Sequence, residues 1–343
     1  MHKLVDIIMK DASTICKKVS FDGIIGKTIL ITGASGLIGG YFIACLKHLS
    51  QMYNIRFTTV TVMQNEYSHY LKELQNFDNV NIYRGDLTNA EFIEKLPKAD
   101  IIIHAAGYVQ PGRFLQNQIK TLKLNTFSTF MLFDKLAENG KFLFASTAEL
   151  YSGLNDPPFK EHEIGTTNTV HPRACYIEAK RCGEAICNSY RIKGADAKSV
   201  RLALAYGPGT RPGDMRVLNS FIEKALNGQI TLIDQGRAKR TYCYISDAIE
   251  IMWNVLLLGK DTVYNVGGNS RTTIGELAHK IGRYLNVPVI FPADDKDMAG
   301  APDDVCLDMT KVQQEFGKND YVSFDEGLAN TIEWQKALYG KSS

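Results

Sequence analysis

Short runs of β-branched and apolar residues alternate along the chain with longer stretches whose apolar positions recur every three or four residues. A parallel sheet covered by helices produces this order. The runs Thr28–Gly33, Phe57–Met63, Val80–Asp86, Ala99–Gly107 and Lys141–Thr147 read as strands that each end in a glycine or polar turn, and Ala197–Leu204 reads as the next. Helical patterns occupy 37–49, 89–96 and 115–138, and another begins near Ala174, after Pro172. Ahead of the first strand, Leu4, Ile7, Ile8, Ala12, Ile15 and Val19 share one helical stripe, which predicts an extra helix docked on the body. After "AYGPG" (205–209) the pattern becomes less regular, with short strands such as "TVYNVGG" set among helices. The expected organisation is a helical extension over 1–25, a main α/β unit over 26–205, and a smaller α/β lobe mainly from 206–343, with the chain re-crossing between them. No linker is long enough to free the lobes, so their interface is the natural place for a pocket.

Composition narrows the class. A chain of 343 residues, 45% of them hydrophobic, can bury a large core. A net charge of +2 with 22% charged residues gives no general electrostatic case for nucleic acid or an anionic membrane as partner. No apolar run approaches the roughly 18 residues of a membrane span. Asp6, Lys10 and Asp11 interrupt the N-terminal stretch, which also lacks a small-residue cleavage site, so no secretory signal is expected there. The seven cysteines (Cys16, Cys45, Cys175, Cys182, Cys187, Cys243, Cys306) contain no CxxC pair, and the histidines show no HExxH or Cys/His cluster. Reduced thiols in a cytoplasmic setting, without a metal site, are the expectation.

The first chemical signal is "ILITGASGLIGG", in which Gly33, Gly36 and Gly39 follow a strand and open a helix. Glycines there allow a tight turn and let backbone N–H groups and the helix N-terminus approach a pyrophosphate. The alternative is merely a tight strand-to-helix turn, and placement directly between the first strand and the first helix weighs against it. Dinucleotide binding on a Rossmann-type, doubly wound parallel sheet is the better reading, with the C-terminal lobe binding substrate. The second strand of such a fold ends near the adenosine ribose, and here it ends in "VTVMQNEY". Gln64 or Asn65, with Glu66 just beyond, can bond ribose hydroxyls, and no arginine stands ready for a 2′-phosphate, which favours NAD over NADP.

The second signal is "YIEAK". Tyr176 and Lys180 stand four apart, on one helical face, and no other tyrosine of the chain has a lysine four residues on. A free phenol titrates near ~10, and a nearby ammonium favours the phenolate that a general base requires. Ser146 and Thr147 end the preceding strand, at the sheet edge where ligands of such folds bind. The alternative is a half-buried tyrosine packed on a lysine stem. The joint placement favours a centre in which tyrosinate takes a substrate hydroxyl proton while a hydride passes to nicotinamide.

Together these segments resemble the extended short-chain dehydrogenases/reductases of the NAD-dependent sugar-nucleotide epimerase/dehydratase type. The likeness runs from about Gly26 to Leu338 and includes "TGASGLIG", "GDL", "HAAG", Asn125, "STAELY", "YIEAK", "AYGPG" and "KRTYCYISD". It implies that Leu37, Ile38, Asp86, Leu87, Ala105, Ala106, Gly107, Asn125 and Ser146 serve the cofactor alongside the glycines, and that Lys180 also holds the nicotinamide ribose. It further implies a nucleotide-sugar substrate oxidised at C4 and a homodimer. "STAELY" is similar to the segment of 4,6-dehydratases and sugar-acid decarboxylases whose glutamate acts beside the sugar, which assigns Thr147 and Glu149 with Tyr176 and Lys180 to catalysis. Arg216 and Arg240 fall where UDP-glucuronate decarboxylases contact the nucleotide phosphates. Two positions depart from the pattern. Leu204 stands where many members have asparagine, and "DDVCLD" (303–308) replaces the segment whose arginine reads the substrate carboxylate in the decarboxylases. A 4,6-dehydratase is the expected activity, with a 4-epimerase or C4 dehydrogenase as alternatives, and a decarboxylase or a non-enzymatic dinucleotide sensor behind them.

Overall fold

The computed structural model describes residues 2–64, 69–293 and 304–340, so Asn65, Glu66 and Asp303 lie outside the described residues. In chain order the strands are β1 (Thr28–Thr32), β2 (Thr58–Met63), β3 (Val80–Arg84), β4 (Ala99–His104), β5 (Leu136–Thr147), β6 (Asp196–Leu202), β7 (Leu204–Tyr206), β8 (Ile230–Thr231), β9 (Lys239–Tyr244), β10 (Val263–Val266), β11 (Ser270–Thr273), β12 (Val289–Ile290) and β13 (Asp304–Val305). Seven of them form one parallel sheet in the order β10-β6-β5-β4-β1-β2-β3. Because helices cover both faces, the central strands are apolar without alternation: Ile29, Leu30 and Ile31, Ile101 to Ile103, and Phe142 to Phe144 are all buried. Strand order reverses between β1 and β4, which opens a crevice at their carboxyl ends. β10 returns from the C-terminal part to the edge of this sheet, while β7, β9, β11 and β13 make a smaller sheet beside it.

Two expected elements differ. The helical pattern over 115–138 is broken into Pro111–Gln116, Gln118–Asn125 and Phe127–Phe133, and its end joins β5. Side chains of Asn117, Thr121, Asn125, Thr126 and Thr129 each bond the carbonyl four residues back, and such back-bonding bends helices. The run 197–204 is also split: β6 ends at Leu202, and Leu204 begins β7, which pairs with β9 in the other sheet.

The N-terminal residues form the helix His2–Lys18, with Ile8, Ala12 and Ile15 buried against the helices Leu37–Tyr53 and Ile245–Leu258. Asp11 lies on this face and accepts hydrogen bonds from Tyr41 (2.7 Å) and Tyr244 (3.0 Å), one from each lobe. Burial pushes its carboxyl up to about 6, against the opposing pull of the two phenols. An acid raised on folding is costly to ionise, so the cost is complete above about pH 6 and fades as pH falls below that value toward the unfolded pKa. Asp11→Asn should therefore raise the unfolding free energy by about 1 kcal/mol at pH 8 and change it little at pH 4, measured by thermal unfolding. An equal effect at both pH values would contradict the assignment.

Candidate active site

The crevice holds a cavity of about 470 Å³, and of the described residues expected to bind or react, all but Asn125 line it. At its cofactor end, Gly33 adopts φ +67°, and a Cβ there would lie 2.6 Å from the Ala105 carbonyl oxygen. A Cβ on Gly39 would lie 2.5 Å from the Gly33 carbonyl. The close approach of the β1 loop to the β4 turn thus requires Gly33, and the packing of the following helix against that loop requires Gly39. Gly36 caps the helix Leu37–Tyr53 without a side-chain bond, and this helix end lines the cavity, where its N-terminal N–H groups suit an anion. Gln64 Nε2 donates to Asp86 Oδ2 at 3.2 Å, and Lys120 Nζ lies 2.6 Å from the same oxygen. Burial opposes ionisation of Asp86, but the bonds from Lys120 and Thr88 prevail and hold its carboxyl below the usual range.

Behind the β4 turn, buried Asn125 donates to the Thr121 carbonyl at 2.8 Å while its Oδ1 has no partner in the described structure. A Cβ on Gly107 would sit 3.8 Å from both this oxygen and Lys180 Nζ. His104 is a strut. Its Nδ1 accepts from Thr32 (2.8 Å), its Nε2–H donates to the Leu124 carbonyl (3.0 Å), and burial pushes its pKa down to about 3, aided by Lys180. A glycine cradle under a helix N-terminus and an orphaned buried acceptor fit a dinucleotide.

Farther along the cavity, the helix Ala174–Ile192 presents Tyr176 and Lys180, both buried. The phenol ring stacks on Phe114 at 4.7 Å and 5°. Lys180 Nζ donates to the Ala145 carbonyl at 2.5 Å and stands 6.0 Å from the Tyr176 ring centre. Burial pushes Lys180 down to about 7 despite Glu184, and pushes the Tyr176 phenol up. Burial thus acts on both partners, raising the phenol and lowering the ammonium expected to favour the phenolate. The groups that oppose the rise are the hydroxyl of Thr147 and the charges of Arg173 and Arg216.

Ser146 and Thr147 point opposite ways, as successive strand residues do. Ser146 donates to Glu184 Oε1 at 2.6 Å, within a buried pair that Glu184 makes with Arg201. Thr147 faces Tyr176 and accepts from the Glu149 N–H at 3.3 Å. Glu149 is gripped through both oxygens by Arg173, from Nε at 2.8 Å and from Nη2. The guanidinium lies 5.4 Å from the Phe114 ring centre, so Glu149, Arg173, Phe114 and Tyr176 form one continuous stack. A planar fork suits a carboxylate in two-point contact. Sequence reasoning did not find this partner of Glu149; its only signal was an arginine at the start of the tyrosine's own helix.

Residues 29–267 match the family described as NAD dependent epimerase/dehydratase. The chain belongs to that family. It is an NAD-dependent enzyme of the sugar-nucleotide kind. UDP-glucuronic acid decarboxylase 1 of Xenopus tropicalis is 28% identical over 318 residues, covering 90% of this chain and 72% of that protein. The dTDP-glucose 4,6-dehydratase of Streptomyces niveus is 26% identical over 318 residues, 90% and 92% of the two chains. The solved UDP-glucose 4-epimerase of Thermotoga maritima, bound to UDP-glucose, shares the fold with a TM-score of 0.78, at 24% identity over 91% of this chain and 99% of that one. Among the described residues no helix is long and apolar enough to cross a membrane.

The second lobe supplies the remaining wall of this family member's cleft. Arg216 is bound at two points by Asp214, with Nη2 2.6 Å from Oδ2. Arg240 donates to the Lys239 carbonyl at 2.6 Å and pairs in register with Val305. Leu204 is 37% exposed into the cleft. Asp304 is held by Arg271 through one oxygen, while Oδ1 is buried without a partner in the described structure.

Proposed function

We propose that the enzyme oxidises a neutral nucleotide-hexose at C4 and then removes water across C5 and C6, a 4,6-dehydratase. The observation that carries this reading is the Glu149 carboxylate, clamped by Arg173 and joined through Phe114 to Tyr176. Tyr176 takes the proton from the C4 hydroxyl, with the Thr147 hydroxyl favouring the phenolate. NAD supplies the hydride acceptor at C4 and the hydride donor at C6. Glu149 removes the C5 proton, made acidic by the adjacent ketone, and Arg173 holds the carboxylate in place through both oxygens. A 4-epimerase needs no such carboxylate. Arg216 and Arg240 are assigned to the substrate diphosphate, and Gln64, Asp86, Asn125 and the glycine loop to NAD. Exposed Leu115, Ile119, Phe130 and Ile192, on helices flanking the site, support assembly as a homodimer.

The decarboxylase alternative is disfavoured by what lines the sugar end. Asp304 and Val305 stand near the place where the resemblance puts a carboxylate-reading arginine, and an unpaired buried charge costs several kcal/mol. With purified enzyme, UDP-glucuronate should release carbon dioxide at least ~100-fold more slowly than the preferred neutral hexose is converted. Rapid formation of a UDP-pentose would overturn the proposal.

A further inference from the structure

Arg211 belongs to the loop that follows β7, yet its Nη2 donates to the carbonyl of Ser35, inside the glycine loop between β1 and the helix Leu37–Tyr53. The arginine is held there by a fastened backbone. The Gly209 carbonyl accepts from the Tyr70 hydroxyl at 3.1 Å, and the Thr210 carbonyl from the Trp334 indole N–H at 3.0 Å. Tyr70 and Trp334 themselves meet edge to face at 5.0 Å. Gly209, at φ +96°, lets the loop lie against Leu37, whose side chain would be 3.1 Å from a Cβ at this position.

Arg173, Arg201 and Arg216 each have a carboxylate partner, whereas Arg211 has none among the described residues. Its guanidinium instead shares the cleft with the positive end of the helix Leu37–Tyr53, so two positive groups face the cleft on either side of the Ser35 carbonyl. That arrangement is favourable when an anion lies between them.

We propose that Arg211 is a diphosphate clamp: it binds the NAD diphosphate opposite the helix N-terminus and thereby fastens the second lobe over the cofactor. This inference rests on NAD as the cofactor and not on the dehydratase reading, because its test reads binding alone. The measurement is calorimetry on NAD-depleted enzyme with ADP, adenosine and UDP as probes. Arg211→Ala should weaken ADP by about 10- to 100-fold, the loss of a charge-assisted bond, and leave adenosine and UDP unchanged. Arg211→Gln, which keeps a donor for the Ser35 carbonyl, should lose ADP affinity alike, showing that the charge and not the loop contact is responsible. NAD content of the purified variants should fall in parallel. Unchanged ADP affinity, an equal loss for adenosine, or a loss confined to UDP would each overturn the clamp, the last by assigning Arg211 to the substrate diphosphate.

Discussion

Tyr176→Phe should lower turnover about 10²- to 10⁴-fold, the usual contribution of a general base, and leave the NAD content of the purified protein unchanged. The substitution removes only the hydroxyl. The ring keeps its stack on Phe114, and Lys180 keeps its bond to the Ala145 carbonyl, so fold and cleft walls persist. The expected loss is large because no other hydroxyl replaces the phenol. Thr147 is beside it, but an aliphatic alcohol is too weak an acid to serve as the base, and Ser146 is committed to Glu184. Near-normal turnover would remove Tyr176 from the centre of the reaction.

Glu149→Gln should separate the two halves of the reaction. On mixing with substrate the variant should develop near-ultraviolet absorbance as C4 is oxidised, then hold it, with product formation lowered by about 10²- to 10⁴-fold. The amide keeps the shape of the carboxylate and one contact with Arg173 but cannot take the C5 proton. The side chains of Arg173 and Glu149 are 23% and 26% exposed, so an unpaired Arg173 still reaches water and the variant should fold. Unchanged product formation would make Glu149 an ordinary partner of Arg173 and favour C4 epimerisation.

The legible parts of this protein were those written within one local stretch. Strand runs, the glycine turn before Leu37 and the four-residue step from Tyr176 to Lys180 each occupy a short segment whose geometry follows from backbone rules. What sequence did not show arises where distant segments meet. Glu149 and Arg173 are 24 residues apart, and Ser35 and Arg211 are 176 apart, with no periodicity to link them. The titration of Lys180 was hidden for a similar reason: spacing showed that the amine shares a face with the phenol, but its burial comes from packing against β5 and its surroundings. The broken helix over 111–133 illustrates a local rule outweighed by another, since apolar period predicts one helix while threonine and asparagine bonds to preceding carbonyls divide it.

The account is tested most directly by incubating the enzyme with UDP-, GDP-, dTDP- and CDP-hexoses in deuterium oxide and determining product mass and label position. Removal of the C5 proton by Glu149, exchange of that proton with solvent and its return predict a nucleotide product lighter by one water and carrying one deuterium at C5. An isomer of unchanged composition without deuterium would contradict it, because inversion at C4 needs no base at C5 and leaves Glu149 without the role assigned to it.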